Sequence, residues 1–264
     1  MNVLITSGGT TEKIDAVRNI SNISTGKLGS LIADRFADES GIEKIFYICG
    51  NTAIKPQIGK AEIIYADNVS SLANAIQEAL NHTSIDIIVH GMAVSDYRVR
   101  SVTSAAALAG MIVSNIDKID EVRRLDHQDA IAAVMSLINN AEPVFAKGAG
   151  GNGKICSDME DMLLLMERTP KIISLFQQLS PQSTLVGFKL LDNVPPETLI
   201  DRGFQILTQN KCSFVLANDL RDIAAERHIG YLIDRHKNYT RYSGKMEIAN
   251  AIVSAAINER TNKP

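Results

Sequence analysis

Short apolar runs of strand length alternate with helix-period segments from one end of this 264-residue chain to the other, and that alternation allows few folds. The runs Asn2–Thr6, Lys44–Cys49, Glu62–Tyr65, Asp86–Met92, Val144–Ala146, Thr184–Leu190 and Ser213–Ala217 suit strands. Between them Gly26–Ala37, Ser70–Leu80, Met159–Glu167, Ile172–Leu179 and Glu197–Thr208 space apolar residues three and four apart, as helices with one buried face do. Strands covered on both faces by returning helices make a mostly parallel sheet, so a Rossmann-like α/β fold is expected. Gly230–Arg235 and Tyr239–Tyr242 flank His236, Lys237 and Asn238 and predict a C-terminal β-hairpin, with an amphipathic helix at Lys245–Asn258 after it.

The stretch from about Ser101 to Asn152 breaks this rhythm. It holds the Ala-rich run Ala105–Ala109, a helix pattern at Gln128–Asn139 and the glycine-rich Gly148–Gly153. Long excursions in compact domains tend to be functional. We read it as an inserted helical or flap segment, about residues 100–153, in what is otherwise a single domain, 1–264.

Hydrophobic residues at 45% and charged residues at 22% exclude a disordered chain, and no apolar run reaches the ~20 residues that span a bilayer. A net charge of −3 offers no general attraction to nucleic acid. The opening MNVLITSGG reads as a strand entering a glycine turn rather than an export signal, which predicts a cytoplasmic protein. Cys49, Cys156 and Cys212 are odd in number and far apart, against both a disulfide framework and a zinc site.

Residues 3–29, VLITSGGTTEKIDAVRNISNISTGKLG, carry the strongest local signal. A strand ends at Gly8 and Gly9, and Ser24, Thr25 and Gly26 lead into a helix whose first turn has Lys27. Helix starts present unpaired N–H groups and a positive dipole end, where a phosphate is at home. Ordinary turn chemistry with an N-cap at Ser24 or Thr25 explains the same letters. GxGxxG does not occur after Thr6, which disfavours a pyridine-nucleotide oxidoreductase. Gly148–Lys154 fits the first seven positions of a phosphate-binding P-loop, but Ile155 stands where a Ser or Thr should ligate magnesium. A loop presenting one useful lysine fits equally well. At Met92-Ala-Val-Ser-Asp-Tyr-Arg98 a small Ala93 permits close approach, and Asp96 could accept hydrogen bonds from a ribose or base or cap a turn. Thr169-Pro170-Lys171, Gly187-Phe188-Lys189 and Ala217-Asn218-Asp219 add polar or small residues at other strand ends or helix starts.

Read together, GGT at Gly8, IDAVRNISNISTGKLG, MAVSDYR, GKICS, RTPKII, GFKLL and ANDL make the sequence resemble phosphopantothenate–cysteine ligase, in its stand-alone bacterial form. The resemblance covers nearly the whole chain apart from about residues 100–150. It implies an enzyme of coenzyme A synthesis that joins 4′-phosphopantothenate to L-cysteine through an acyl-nucleotide. It also implies a nucleoside triphosphate co-substrate, CTP in bacteria with ATP the alternative, and magnesium with unknown ligands. A homodimer completing each site across its interface is implied too, with no membrane or nucleic-acid partner. By the same resemblance Lys154 offsets charge during activation and Asn22 contacts phosphopantothenate and the acyl-nucleotide, while Arg18 and Ala93 bind phosphopantothenate. The nucleotide would fall to Gly8, Gly9, Ser24, Gly26, His90, Gly91, Met92, Asp96, Lys154, Pro170, Lys171, Ile172, Ile173 and Phe188. Gln205 and Gln209 depart from the pattern, standing where many relatives carry lysines. A nucleotide-binding regulatory protein on the same fold is the alternative from another class.

Overall fold

The computed structural model describes residues 1–115, 125–140, 154–155, 158, 160–224 and 227–262. The chain forms two compact units. The first takes Met1–Thr11, Ser21–Ser95 and Pro170–Pro264, and the second takes Glu12–Ile20 and Asp96–Thr169.

In the first unit six strands run parallel: β1 (Asn2–Ser7), β4 (Lys44–Cys49), β5 (Ala61–Tyr65), β6 (Ile87–His90), β9 (Thr184–Leu191) and β10 (Phe214–Asp219). Their order is β10-β9-β6-β1-β4-β5. The antiparallel strands β11 (Ile223–Ala224), β12 (Arg227–Ile233) and β13 (Tyr239–Ser243) extend the sheet beyond β10, so the expected hairpin is an edge of the main sheet.

Side chains of β1 alternate between two cores because strand residues point to opposite faces. Leu4 packs with Leu72 and Ile76 of α2 (Val69–His82), Phe176 of α5 (Ile172–Leu179) and Leu199 of α6 (Pro196–Gln209). Val3 and Ile5 pack with Ile32 and Phe36 of α1 (Lys27–Ala37) and Ile248 and Ile252 of α7 (Lys245–Thr261). Leu4 and Ile5 are fully buried, each worth about 1.5–3 kcal/mol of transfer free energy. Asn68 caps α2 with a reciprocal pair to Ser71, which fixes where that helix begins.

The second unit pairs β7 (Tyr97–Ser104) with β8 (Met162–Arg168) and carries α3 (Ala105–Ser114) and α4 (His127–Asn140). Two short strands, β2 (Thr11–Lys13) and β3 (Asn19–Ser21), pair where the chain passes between units.

The helix expected at Met159–Glu167 is, from Met162 onward, the strand β8. Met162–Met166 is apolar throughout and fits a period of 2 as well as 3.6; its partner β7 decides. The start of α1 also differs from expectation. Its cap is Gly26 at φ 72°, with no side-chain cap bond, rather than Ser24 or Thr25. A left-handed cap favours glycine, and a side chain there would press on Ser7 and Ala53. The expected strand Val144–Ala146 and the glycines at 148–153 lie outside the described residues.

Candidate active site

The chain moves from β1 to β4 and β5 on one side, then returns to place β6 on the other side of β1. In open α/β sheets ligands bind beyond the carboxyl ends of strands at such a reversal, which here means beyond Ser7 and His90. Gly8, Gly9, His90, Gly91, Met92 and Ala93 all gather there.

The two loops are laced by backbone hydrogen bonds. Gly91 N–H donates to the Thr6 carbonyl at 3.0 Å, Ala93 N–H to Gly8 at 2.8 Å, and Thr10 N–H to Ala93 at 3.0 Å. The Asn22 N–H donates to the Thr10 carbonyl at 3.0 Å, which brings the end of β3 against this pair. A Cβ on Gly9 would stand 2.1 Å from the Asn22 carbonyl oxygen, so the close approach of these loops requires glycine.

Side chains then fix Asn22. Ser95 N–H donates to Thr10 Oγ1 at 2.8 Å, the Thr10 hydroxyl donates to Ser95 Oγ at 3.1 Å, and Ser95 Oγ donates to Asn22 Oδ1 at 2.9 Å. Thr10 and Ser95 are buried and Asn22 is half-buried.

His90 closes the end of β6. Its Nδ1 lies 2.7 Å from Thr6 Oγ1, and its ring meets Phe176 of α5 edge-on at 5.2 Å. Burial holds its pKa down at about 4, so the imidazole is neutral at ordinary pH. A Cβ on Gly91 would lie 3.4 Å from the Thr6 carbonyl oxygen and 3.5 Å from the Phe188 ring, so Phe188 lies over this turn as the floor beside His90. Ile172 is buried in the core, whereas Pro170, Lys171 and Ser24 are exposed and Ile173 is half-buried. Ser7 Oγ donates to the Gly26 carbonyl at 3.1 Å, tying the start of α1 to the end of β1.

The second unit holds the other candidates. The Asp15 side chain is 2% exposed and accepts from Val17 N–H and Arg18 N–H, both at 2.8 Å. It also accepts from Arg18 Nε at 3.0 Å, Arg18 NH2 at 2.6 Å and Ile155 N–H at 3.1 Å. Arg18 NH2 in turn donates to the Ile155 carbonyl at 3.1 Å. The Arg18 guanidinium, reinforced by the backbone donors, holds the Asp15 carboxyl well below the usual carboxylate range against the opposing effect of burial. Lys154, exposed, is thereby attached to the turn that carries Arg18. Asp96 is exposed and its carbonyl accepts from Thr169 N–H at 3.0 Å.

Gln205 and Gln209 are exposed on α6, and Arg202 donates to Gln205. Cys49 and Cys212 are buried, and burial pushes the Cys212 thiol up to about 12 and raises that of Cys49. Among the described residues no group of three metal-ligating side chains occurs, and no helix is long and apolar enough to cross a membrane. Sequence reasoning missed Thr6, Thr10, Asp15 and Ser95, whose partners are set by folding. Only Asp15, three residues before Arg18, gave a local signal.

A mostly parallel sheet flanked by helices, with its order reversing at β1, defines a Rossmann-like α/β protein. Residues 1–108 match the family described as DNA/pantothenate metabolism flavoprotein C-terminal domain. The coenzyme A biosynthesis bifunctional protein CoaBC of Methanocaldococcus jannaschii is 26% identical over 95% of this chain and 49% of its own length. Its counterpart in Thermococcus kodakarensis is 26% identical over 88% of this chain and 45% of its own. The chain spans about half the length of these curated relatives. The solved DNA/pantothenate metabolism flavoprotein of Streptococcus pneumoniae is 29% identical, with a TM-score of 0.76 over 98% of this chain and 99% of that one. The C-terminal domain of a CoaBC protein shares the fold at 19% identity and a TM-score of 0.62, covering 98% of this chain and 95% of its own.

Proposed function

We propose that this chain is a phosphopantothenate–cysteine ligase of coenzyme A biosynthesis. The observation that carries the reading is the half-buried Asn22 amide held at the carboxyl end of β1, in a chain related to CoaBC proteins. A solved Cab2 variant of the same fold, 16% identical with a TM-score of 0.65, is a complex with phosphopantothenate-cysteine, which supports the choice of ligand.

A carboxylate is inert toward an amine because it would have to expel oxide, and nucleotidyl transfer supplies a better leaving group. In the first step a carboxylate oxygen of 4′-phosphopantothenate attacks the α-phosphorus of CTP. The bond to the bridging oxygen breaks and pyrophosphate leaves. The amine of cysteine then attacks the acyl carbon, and CMP departs with the oxygen that had been the carboxylate's. Lys154 offsets charge as the two anions meet. Arg18, anchored on Asp15 through Nε and NH2, would turn its NH1 donors to the terminal phosphate. Asn22 and the Ala93 backbone orient the acyl part. The neutral His90, Gly91, Met92 and Phe188 floor, with the starts of α1 and α5, holds the nucleotide. Magnesium would accompany the triphosphate and offset part of its charge.

The same reading makes the enzyme a cytoplasmic homodimer. Helix α3 buries none of its residues, and its Ile112 and Val113 are exposed, apolar area that a second copy would cover.

The test is pyrophosphate release with 4′-phosphopantothenate, cysteine, magnesium and either CTP or ATP. Release that needs both acyl and amine substrates, and that is faster with CTP, is expected. Nucleotide binding without release would favour the regulatory reading instead.

A further inference from the structure

Asn22 can face a ligand with either end of its amide, and the two ends select opposite chemistry: the oxygen accepts and the nitrogen donates. The hydrogen-bond network around Ser95 selects one end, beginning from a group that cannot turn. Ser95 N–H, a backbone donor, occupies Thr10 Oγ1 at 2.8 Å, and the Thr10 proton is directed to Ser95 Oγ at 3.1 Å. The Ser95 proton then goes to Asn22 Oδ1 at 2.9 Å. Thr10 is 0% and Ser95 4% exposed, so water does not compete for these hydroxyls. The backbone repeats the lock, since Asn22 N–H donates to the Thr10 carbonyl and Thr10 N–H to that of Ala93. Turning the amide over would make Ser95 Oγ accept twice and redirect its own proton.

We infer that Ser95 and Thr10 are positioning residues that present Asn22 Nδ2 as a hydrogen-bond donor to an oxygen of the phosphopantothenoyl group. This rests on the function proposed above. It explains why an uncharged asparagine serves both steps: an acyl oxygen is present in the free carboxylate and in the acyl-nucleotide alike. Each hydroxyl in the chain polarises the next, so the relay sharpens the donor as well as aiming it.

A double-mutant cycle tests it. If Ser95 acts only through Asn22, Ser95→Ala lowers kcat/KM for 4′-phosphopantothenate about tenfold in the unaltered background, the scale of one well-placed hydrogen bond. In the Asn22→Ala background the same change has almost no effect. Ser95→Thr, which keeps the hydroxyl, restores most of the loss, and CTP affinity by calorimetry stays constant throughout. Equal losses in both backgrounds, or none in either, overturn the relay. A second arm needs no turnover: Ser95→Ala shifts and broadens the Asn22 side-chain amide protons in a nitrogen–proton spectrum, and Ser95→Thr keeps them in place. An unmoved Asn22 signal overturns the relay even if the chain proves to have no ligase activity. Absence of pyrophosphate release by the unaltered chain overturns the proposed function alone.

Discussion

Lys154 and Asn22 make separable demands on the proposed reaction. A cation acts while carboxylate and triphosphate approach, so Lys154→Ala should slow acyl-nucleotide formation by about 100- to 1,000-fold and leave substrate binding less affected. Rapid-quench measurement without cysteine reads that step. Normal formation followed by a block only when cysteine is added would contradict the assignment. His90 gives a pH signature. The free imidazole takes its proton near pH 6.5 and the folded one only near 4, so between those values the unfolded chain binds more protons. The stability that His90 contributes is present above pH 6.5 and is lost as pH falls toward 4, on the order of 3 kcal/mol. Denaturation midpoints at pH 7.5 and 4.5 should therefore differ less for His90→Asn than for the unaltered chain. Equal differences would show that the buried imidazole is not responsible. At this scale Arg18, Asn22 and Ala93 could be singled out because each stands in a local motif. Ser95 was read only as part of MAVSDYR, since its partners Thr10 and Asn22 lie 85 and 73 residues away.

The elements place these residues through two tight joints. At the first, Gly9 passes against Asn22, and Gly9→Ala would drive a methyl group into the Asn22 carbonyl. Overpacking of this kind typically costs about 1–3 kcal/mol, and here it would also shift Asn22 off its mark. A lowered melting temperature together with a raised KM for 4′-phosphopantothenate is expected; an unchanged KM would contradict the joint. At the second, Asp15 fastens Arg18 and Ile155 to one carboxylate. Hydrogen bonds to charged groups are worth about 1.5–3 kcal/mol, so Asp15→Ala should raise that KM roughly 10- to 100-fold. Steady-state kinetics with saturating CTP would show it, and Arg18 bound as well without Asp15 would appear as no change. Most elements could be read from hydrophobic period, with Lys44–Cys49 and Ile172–Leu179 matching end for end. The strand β8 could not, because Met162–Met166 has no polar face to set its phase and β7, which supplies the pairing, begins 65 residues earlier.

For the whole molecule, the alternation of strands and helices was sufficient to anticipate a mostly parallel sheet, and β1 at its reversal explains why the first motif is the densest. The exposure of Ile112 and Val113 on α3 was not foreseen, since the apolar run from Ala105 reads equally well as a buried helix. If a second copy covers them, the chain sediments as a dimer, and Val113→Glu, at a position 66% exposed, shifts it to monomer without unfolding it. A dimer indifferent to that charge would lie on another face. The most direct measurement of the central claim follows an oxygen atom. With 4′-phosphopantothenate labelled with oxygen-18 in its carboxylate, attack on the α-phosphorus and departure of the nucleotide must leave one labelled oxygen in CMP and none in pyrophosphate. Label found in inorganic phosphate or pyrophosphate, or CMP formed without it, would contradict the account.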